Sequence, residues 1–412
     1  MESTGNNKRN FIFLAHWVEA WNWLLWWSAD LHENPHHALR WVWLWPLYIA
    51  VSIFYLIGRK AFDVVDRYEY QGLAGETVLL RNFAYHFLMG SWRRKIRQRI
   101  LTAVLSAQEN GAQVIGLGAL TKAEWLTAGG KWIVDTLGTK LKVPIVHGDT
   151  LTAAAVLYRV IDLLRGQSLP EYGPVFLTGG TSKIGRAVAL SLAKRGVTVF
   201  VYTQSRERFD ELKAEAESLG CGQHLRYANA MALGKRCPLW ITGKAEPGIG
   251  KKIIANLPQE ATVVNFSVPD PLTPSLLSRR QDVFHVDGGL MGYHTQLCSQ
   301  QFTMRLKPGL LYACHAGTIV HAHKGWQHHE VGQVDLGELE VIWLAATQEL
   351  GMFLPPLTSH LRSVQLTSGN FRRALGAPPM GTVVAGVSDP ITTSPSPRRP
   401  AAGDQKSQTI HR

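Results

Sequence analysis

One segment of the sequence has the residue types and the spacing of a phosphate-binding turn. It comprises Thr178, Gly179, Gly180, Thr181, Ser182, Lys183, Ile184 and Gly185. Backbone N–H groups and the dipole at a helix N-terminus can bind a pyrophosphate at such a turn. Gly179 permits the tight turn and Gly185 permits close packing, but Ser182 replaces the glycine that normally lets the backbone approach the phosphates. We predict a dinucleotide site, with a Rossmann-like scaffold that binds no nucleotide as the alternative.

The residues after the next apolar stretch bear on which nucleotide would bind. In dinucleotide-binding folds, an acidic residue about twenty positions further on usually binds the ribose. Here Ser205, Arg206 and Arg208 occupy that region. Because arginine can pair with a 2′-phosphate, we predict NADPH as the cofactor rather than NADH. The alternative is that both arginines are solvated at the start of a helix, with Glu207 and Asp210 as their partners.

The elements around the turn predict the fold class. Residues 174–203 read as an apolar strand, the turn, a helix and a second apolar strand, and further alternation is typical of a parallel sheet covered by helices. We predict an α/β fold with a Rossmann-type doubly wound parallel sheet, a preceding smaller α/β substrate domain and an N-terminal membrane-associated helical segment. The predicted boundaries are 1–91 for the membrane-associated segment, 92–172 for the substrate domain, 173–355 for the NADP-binding domain with a returning catalytic segment, and 385–412 for a disordered tail.

An uncharged run at residues 41–58 is the candidate membrane span. It is just long enough to cross a bilayer, and tryptophan and tyrosine lie near its ends. Basic residues follow at Arg59 and Lys60 and again over 93–99, which favours an anionic lipid surface and a cytosolic placement of the later domains. The alternative is a buried core helix of a soluble protein.

Composition excludes several classes of function. The 43 basic and 31 acidic residues give a net charge of +12, but no nucleic-acid-binding motif accompanies it, and we expect no nucleic-acid partner. The cysteines lack paired or CxxC spacing, which indicates a reducing compartment without a disulfide framework or a zinc knuckle.

Several motifs in one order carry a resemblance to a known family. The segments are FIFLAHWVEAW, HGDTLTAAAVLY, VFLTGGTSKIGRAVAL and ACHAGTIVHAHKGWQHHEVG. Over nearly all of residues 10–355 the sequence resembles the plant cuticular-wax (eceriferum) family of very-long-chain aldehyde decarbonylases. More distantly, residues 92–355 resemble the cyanobacterial long-chain acyl-ACP reductases.

The resemblance also implies what this chain lacks. Full-length wax-family proteins resemble a membrane fatty acid hydroxylase, with histidine clusters that hold two irons, fused in front of a reductase-like domain. Here one cluster, between His32 and His37, is the only similar feature, and Pro35 breaks its helical presentation. We expect a solvated loop there and no hydroxylase half, so this chain alone is not expected to convert aldehyde to alkane.

The resemblance further implies a nucleophile. The cysteine of the reductase segment that corresponds to YACHAG takes the acyl group, and the matching residue is Cys314. A thiolate there would attack an acyl thioester, and NADPH would reduce the enzyme thioester to aldehyde, provided that the thiol pKa is lowered. Taken alone, such a cysteine is usually a small buried apolar residue. We do not expect the adjacent His315 to be its base.

Two further groups of residues are candidates for the site. The resemblance places Gly148, Thr150 and Thr152 near the substrate or the nicotinamide; the alternative is helix capping by Asp149 or Thr150. The sequence also contains a dense histidine group, formed by His315, His321, His323, His328 and His329. No HxxxH pair with a carboxylate is evident there, and we expect no metal.

These observations lead to a predicted function. We predict NADPH-dependent reduction of a long- or very-long-chain acyl-CoA to a fatty aldehyde, for wax and alkane synthesis, at the endoplasmic reticulum membrane with the catalytic domain in the cytosol. The alternative is a non-catalytic partner of a membrane di-iron oxygenase that forms alkanes. A hetero-oligomer with a hydroxylase-containing wax-family protein is a further expectation.

Overall fold

The computed structural model describes residues 10–17, 38–165, 173–244, 246, 248–298 and 306–364. Two features predicted from the sequence lie outside the described residues. They are the histidine cluster at 32–37 and the disordered tail at 385–412.

The first sheet has five strands. They are β1 (Phe11–Trp17), β2 (Phe62–Tyr70), β3 (Leu73–Phe83), β4 (Val114–Leu117) and β5 (Ile145–Val146). Their spatial order is β2-β3-β1-β4-β5, with only β2 antiparallel to its neighbour. Every residue of the central strand β1 is buried. An apolar run is expected of a strand that is covered on both faces.

The N-terminal region therefore differs from its predicted form. The prediction of a helical segment over 1–91 is wrong for β1, β2 and β3, which build most of the first sheet. The substrate domain predicted at 92–172 likewise takes three strands from before residue 92. An apolar composition does not separate the two structures, because buried strands and buried helices share it.

Helix α1 (Ala38–Ile57) covers most of the predicted span. Its residues Val51 and Tyr55 are buried, and the Tyr55 ring stacks on Phe83 of β3 with 5.2 Å between ring centroids. Among the described residues, no helix is both long and apolar enough to cross a membrane. The predicted span at 41–58 is therefore not supported, since one side of α1 packs on the first sheet.

Further helices lie between the strands of the first sheet. They are α2 (Ala84–Leu88), α3 (Arg93–Glu109), α4 (Glu124–Thr127) and α5 (Lys131–Leu137). Ile96, Ile100 and Val104 give α3 a buried face. Two of the basic residues predicted to face lipid instead make hydrogen bonds within the protein. Arg97 donates to the carbonyl oxygen of Leu126, and Arg99 donates to that of Gly58.

The second sheet has six parallel strands. They are β6 (Val175–Thr178), β7 (Val199–Tyr202), β8 (Leu225–Ala228), β9 (Leu239–Thr242), β10 (Thr262–Asn265) and β11 (Phe284–Asp287). Their spatial order is β11-β10-β9-β6-β7-β8, which is the strand order of a Rossmann fold. The predicted α/β class with a parallel Rossmann-type sheet is confirmed.

Five helices are associated with this sheet, and the first of them connects the first sheet to the second. They are α6 (Asp149–Arg165), α7 (Lys183–Lys194), α8 (Arg206–Ser218), α9 (Ile249–Asn256) and α10 (Pro274–Leu277). The chain then forms a hairpin of β12 (Leu290–Gly292) and β13 (Leu310–Tyr312), helices α11 (Ala313–Lys324) and α12 (Glu338–Leu344), and a short pair, β14 (Thr358–Ser359) and β15 (Arg362–Ser363). The largest apolar cluster contains Phe11 and Val114 of the first sheet, Val175 and Leu177 of the second, and much of α6. The two sheets thus share one core.

The turn between β5 and α6 fits tightly against α11. Gly148 has φ +65°, and a Cβ atom there would lie 2.2 Å from the carbonyl oxygen of Cys314. Gly111 has φ +85° but no atom near the place of a Cβ. A substitution at Gly111 would therefore cause backbone strain alone, whereas one at Gly148 would add steric overlap.

We expect Gly148→Ala to lower the free energy of unfolding more than Gly111→Ala does. Backbone strain alone costs about 1–2 kcal/mol at either position, and overlap with α11 adds about 1–3 kcal/mol at Gly148. The difference is measured as a shift in the midpoint of denaturant unfolding. Equal losses in the two variants would contradict the tight packing of this turn.

Candidate functional site

A cavity of about 510 Å³ lies between the carboxyl ends of the two sheets. This volume is within the range of small-molecule sites. Its wall is mostly apolar, with side chains from both halves of the chain. The principal apolar residues are Leu120, Ile184, Phe266, Val268, Leu290 and Leu361.

Parallel pairing brings polar side chains of the first sheet to this cavity. Strands β1, β4 and β5 are parallel neighbours, so their carboxyl ends meet at one edge. His16 lies near the end of β1, Lys122 follows β4 and Asp149 follows β5, and all three line the cavity. The sequence did not single out Lys122, and it suggested Asp149 only as a helix cap. Both residues could have been predicted from the sequence, because the segments GALTK and HGD each follow directly after a buried strand.

Lys122 and Asp149 form a buried ion pair. Lys122 Nζ donates to Asp149 Oδ1 at 2.5 Å and to the carbonyl oxygen of His147 at 2.7 Å. Lys183 Nζ, at the start of α7, lies 3.3 Å from Asp149 Oδ2. Burial favours the neutral carboxyl, but Lys122, His147 and Lys183 outweigh it and lower the pKa of Asp149 to about 2. Burial also works against a charged Lys122, yet the attraction to Asp149 raises its pKa above the usual value.

Cys314 lies in the first turn of α11 and lines the same cavity. Burial raises the pKa of its thiol, and the nearby Lys122 offsets this only in part. The lowered pKa that a nucleophilic thiolate requires is therefore not found. His315 faces away from the cavity, with its ring stacked on Phe13 and its Nε2 against the hydroxyl of Tyr68. Burial lowers the pKa of His315 to about 3.

The predicted phosphate turn joins β6 to α7. Gly179 has φ +76°, and a Cβ on Gly185 would lie 2.2 Å from the carbonyl oxygen of Gly179. Ser182 caps α7, because its hydroxyl oxygen accepts from the N–H of Gly185 at 3.2 Å. The N–H groups of Lys183 and Ile184 lie in the first turn, where no intrahelical acceptor exists. These residues fit a dinucleotide, with donors at a helix N-terminus and no Cβ in the turn's tightest contacts.

The remaining members of the predicted turn have structural roles. Thr178 is the last residue of β6, and Gly180 packs so closely on Val201 that a Cβ would lie 2.7 Å from its side chain. The carbonyl oxygen of Thr181 accepts from the guanidinium of Arg208 at 3.1 Å.

The three residues predicted to bind the ribose phosphate separate into different environments. Ser205 caps α8 by accepting from the N–H of Arg208 at 3.2 Å. Arg206 pairs with Asp210, at 2.8 Å from Nε to Oδ1, and lies over the Tyr227 ring. Only Arg208 reaches the phosphate turn. The alternative of a solvated, locally paired arginine therefore describes Arg206 but not Arg208.

The three residues predicted to lie near the substrate also have different environments. Thr152 lines the cavity. Thr150 instead donates from its N–H and its hydroxyl to Glu330 Oε1, at 3.1 and 2.7 Å. Gly148 packs on the backbone of α11, as described above.

The dense histidine group is divided among several partners. His321 Nε2 lies 3.1 Å from Glu330 Oε2, His323 pairs with Glu349, and His329 Nδ1 accepts from the N–H of Ile145 at 3.0 Å. A different set, which the sequence did not suggest, has the spacing of a metal site within the described residues. It consists of Asp270, His285 and His360.

Residues 175–353 match the family model of the CER1-like, C-terminal domain. This part of the chain is therefore similar to that family's C-terminal domain. The wax-family resemblance predicted from the motifs is confirmed.

Curated relatives extend the similarity beyond that domain. The chain is 32% identical over 306 residues to very-long-chain aldehyde decarbonylase GL1-1 of Oryza sativa subsp. indica, covering 74% of this chain and 46% of the relative. It is 29% identical over 352 residues to GL1-2 of the japonica subspecies, covering 82% and 51%. It is 26% identical over 330 residues to CER1 of Arabidopsis thaliana, covering 78% and 48%. The chain spans about half the length of the curated relatives it matches.

Solved structures are similar at a low level. A quinone oxidoreductase of Pseudomonas syringae pv. Tomato DC3000 is 15% identical with a TM-score of 0.25, covering 33% of this chain and 43% of that one. The D-arabinose dehydrogenase of Sulfolobus solfataricus is 13% identical with a TM-score of 0.25, covering 34% and 45%. Scores this low add nothing to the strand order, which identifies the fold by itself.

The relatives correct the predicted function. They are named very-long-chain aldehyde decarbonylases, not acyl-CoA reductases. The prediction that the chain reduces an acyl thioester is therefore wrong, and the raised pKa of Cys314 agrees with this correction. The alternative of a non-catalytic partner is not favoured by these comparisons either.

We expect the thiol pKa of Cys314 to lie above the ordinary value of about 8.5. The pH dependence of iodoacetamide alkylation, measured by mass spectrometry in a Cys298→Ser background, reports this pKa. Lys122→Met should raise it further and Asp149→Asn should lower it, because these charges oppose and favour the neutral thiol respectively. Lys131→Met, at an exposed position, is the control and should leave it unchanged. An inflection below about pH 7 would contradict the expectation.

Proposed function

We propose that the chain binds a nicotinamide dinucleotide on the 178–185 turn and a long-chain aliphatic aldehyde in the cavity, and that it reduces the aldehyde to an alcohol. One observation carries the proposal. Ile184 of the nucleotide turn and the Lys122–Asp149 pair line the same mostly apolar cavity. A cofactor on the turn and a substrate in the cavity would thus be neighbours.

The character of the cavity supports an aliphatic substrate. Its wall is apolar apart from a few convergent polar groups, the pattern expected of a small-molecule site. Each buried methylene contributes about 0.8 kcal/mol to binding, so affinity should rise with chain length until the cavity is filled. The relatives' names supply the aldehyde class, which is proposed and not observed for this chain.

Lys122 is the group best suited to the aldehyde oxygen. Its ammonium carries three hydrogens, and Asp149 and the His147 carbonyl accept two of them. The remaining hydrogen is available to a ligand in the cavity. Because its pKa is raised, Lys122 is protonated at neutral pH and can both polarise a carbonyl and deliver a proton.

The overall reaction is balanced. An aldehyde, a reduced dinucleotide and one proton give an alcohol and the oxidised dinucleotide. A bound nicotinamide would supply the hydride. Lys122 would stabilise the negative charge that develops on the oxygen and give it the proton, and Asp149 would hold the ammonium in place.

We expect the purified chain to oxidise NADPH when hexadecanal is added, with hexadecanol as the product. Lys122→Met should lower the turnover rate by at least about a hundredfold, because a donor to the developing oxyanion is lost. Lys131→Met, at an exposed position, should retain wild-type turnover. Cofactor oxidation is followed by absorbance, and the alcohol is identified by mass spectrometry. Tight binding of both ligands without conversion would contradict the proposed reaction.

The choice of NADPH over NADH is a separate proposal that rests on Arg208. A charge-assisted contact with the 2′-phosphate contributes about 1.5–3 kcal/mol, or roughly ten- to a hundredfold in affinity. We expect NADPH to bind at least about tenfold tighter than NADH. Arg208→Ala should remove most of this preference, whereas Arg206→Ala should preserve it, because Arg206 is occupied by Asp210. Calorimetric titration measures both nucleotides. Equal effects of the two substitutions would refute the assignment to Arg208.

Location and partners remain proposals. Ile49, Ile53, Phe54 and Ile57 form an exposed apolar face on α1, which supports contact with a membrane surface. The proposed cytosolic placement of the catalytic domain comes from the basic residues that follow 41–58. Placement at the endoplasmic reticulum membrane rests on the resemblance alone. The same holds for association with a hydroxylase-containing wax-family protein.

A further inference from the structure

Three side chains with metal-ligating atoms meet at the carboxyl edge of the second sheet. Asp270 follows β10, His285 lies within β11 and His360 follows β14. Their ligand atoms all lie within 4.8 Å of one another. Asp270 and His360 also line the cavity described above. The group is thus partly buried and borders the space proposed for the substrate.

Two of the three ligand atoms lack a hydrogen bond. Asp270 Oδ2 and His285 Nε2 are buried and lie 2.9 Å apart, yet neither has a hydrogen-bond partner among the described residues. His285 has only 2% of its side chain exposed. The two atoms are within ion-pair distance of each other, but burying them without a hydrogen bond is costly. Their convergence on one point therefore fits a shared ligand.

The separations fit a small divalent ion. Ligand atoms at about 2.0–2.2 Å from a tetrahedral Zn²⁺ ion are roughly 3.3–3.6 Å apart. Asp270 Oδ2 lies 2.9 Å from His285 Nε2 and 3.5 Å from His360 Nε2. Shifts of a few tenths of an ångström would bring these atoms into coordination. His360 would exchange its present hydrogen bond from Nε2 to the carbonyl of Leu272, at 2.7 Å, for the metal.

Hydrogen bonds from neighbouring groups hold the three residues in place, as is usual around a metal site. His285 Nδ1 lies 2.8 Å from the hydroxyl of Ser359, which fixes the ring with Nε2 towards Asp270. The other oxygen of Asp270 accepts from the N–H of Leu272 at 2.8 Å. Asp287 accepts from the N–H groups of His360 and Leu361, at 3.1 and 2.8 Å, and so holds the segment that carries His360.

We propose that Asp270, His285 and His360 bind a divalent transition-metal ion of the Zn²⁺ or Fe²⁺ class, with a coordination position open to the cavity. Two histidines and one carboxylate leave room for an exogenous ligand in both zinc and non-haem iron sites. An oxygen-bearing head group in the cavity has the right chemistry for that position. Metal binding does not depend on the proposed aldehyde reduction, and each can fail without the other.

The test uses the full chain after removal of metal with a chelator. We expect one equivalent of Zn²⁺ to bind by calorimetry, and Co²⁺ to give visible ligand-field bands at the same stoichiometry. Anaerobic titration with Fe²⁺ then compares the two metals. Asp270→Asn keeps the shape of the side chain but should abolish the Co²⁺ bands, and His285→Ala and His360→Ala should do the same. Asp287→Asn should weaken binding by about ten- to a hundredfold, because it loosens the segment that holds a ligand.

A control variant excludes binding by other histidines. His328 is exposed and belongs to the dense histidine group of residues 315–329, so His328→Ala should leave the stoichiometry and the Co²⁺ bands unchanged. Loss of binding in His328→Ala but not in Asp270→Asn would overturn the proposal. If none of the three metals binds stoichiometrically, the proposal is overturned as well. Asp270, His285 and His360 would then only hold residues 358–361 against the sheet.

Discussion

The carboxylate of Asp149 holds two ammonium groups from different halves of the chain, Lys122 after β4 and Lys183 at the start of α7. The same residue begins α6, which packs against α7 and α11. Removing one partner from a buried ion pair costs about 3–5 kcal/mol, because the other charge is left unpaired. The position of the nucleotide turn relative to the cavity therefore depends on this carboxylate. The two ammonium groups, together with His147, also lower the pKa of Asp149 to about 2 in spite of burial.

Local patterns were enough to predict the second sheet. The turn at 178–185 and the helix after it are encoded within one short stretch, where strand, glycine and helix signals adjoin one another. Strand β1 could not be read in this way. Its apolar residues fit a helix or a strand equally well, and it pairs with β3 and β4, which lie far away in sequence. Only the paired partners distinguish the two structures.

The difference between local patterns and long-range contacts also explains which site residues could be predicted from the sequence. The sequence offered local pairing of Arg206 with Asp210 as an alternative, because Asp210 follows at the i,i+4 spacing of a helix. Lys122 and Asp149 meet only because β4 and β5 are parallel neighbours, and His285 and His360 meet only because β14 lies beside β11. Sequence spacing contains neither fact. For Cys314, the resemblance identified a residue that does line the cavity, but its chemical state depends on burial and on the charges of Lys122 and Asp149.

The cavity has two polar ends that belong to different sheets. One contains Lys122 and Asp149 at the edge of the first sheet, and the other contains Asp270 and His360 at the edge of the second. The wall of the cavity is mostly apolar, and its charged side chains belong to these two ends, so a polar head group is best placed at one of them. An aliphatic ligand therefore has two possible orientations. Ile184, at the nucleotide turn, also lines the cavity, and Lys183 beside it contacts Asp149. This link favours the Lys122 end for a head group that reacts with the cofactor, and it leaves the Asp270 end for a ligand that binds a metal.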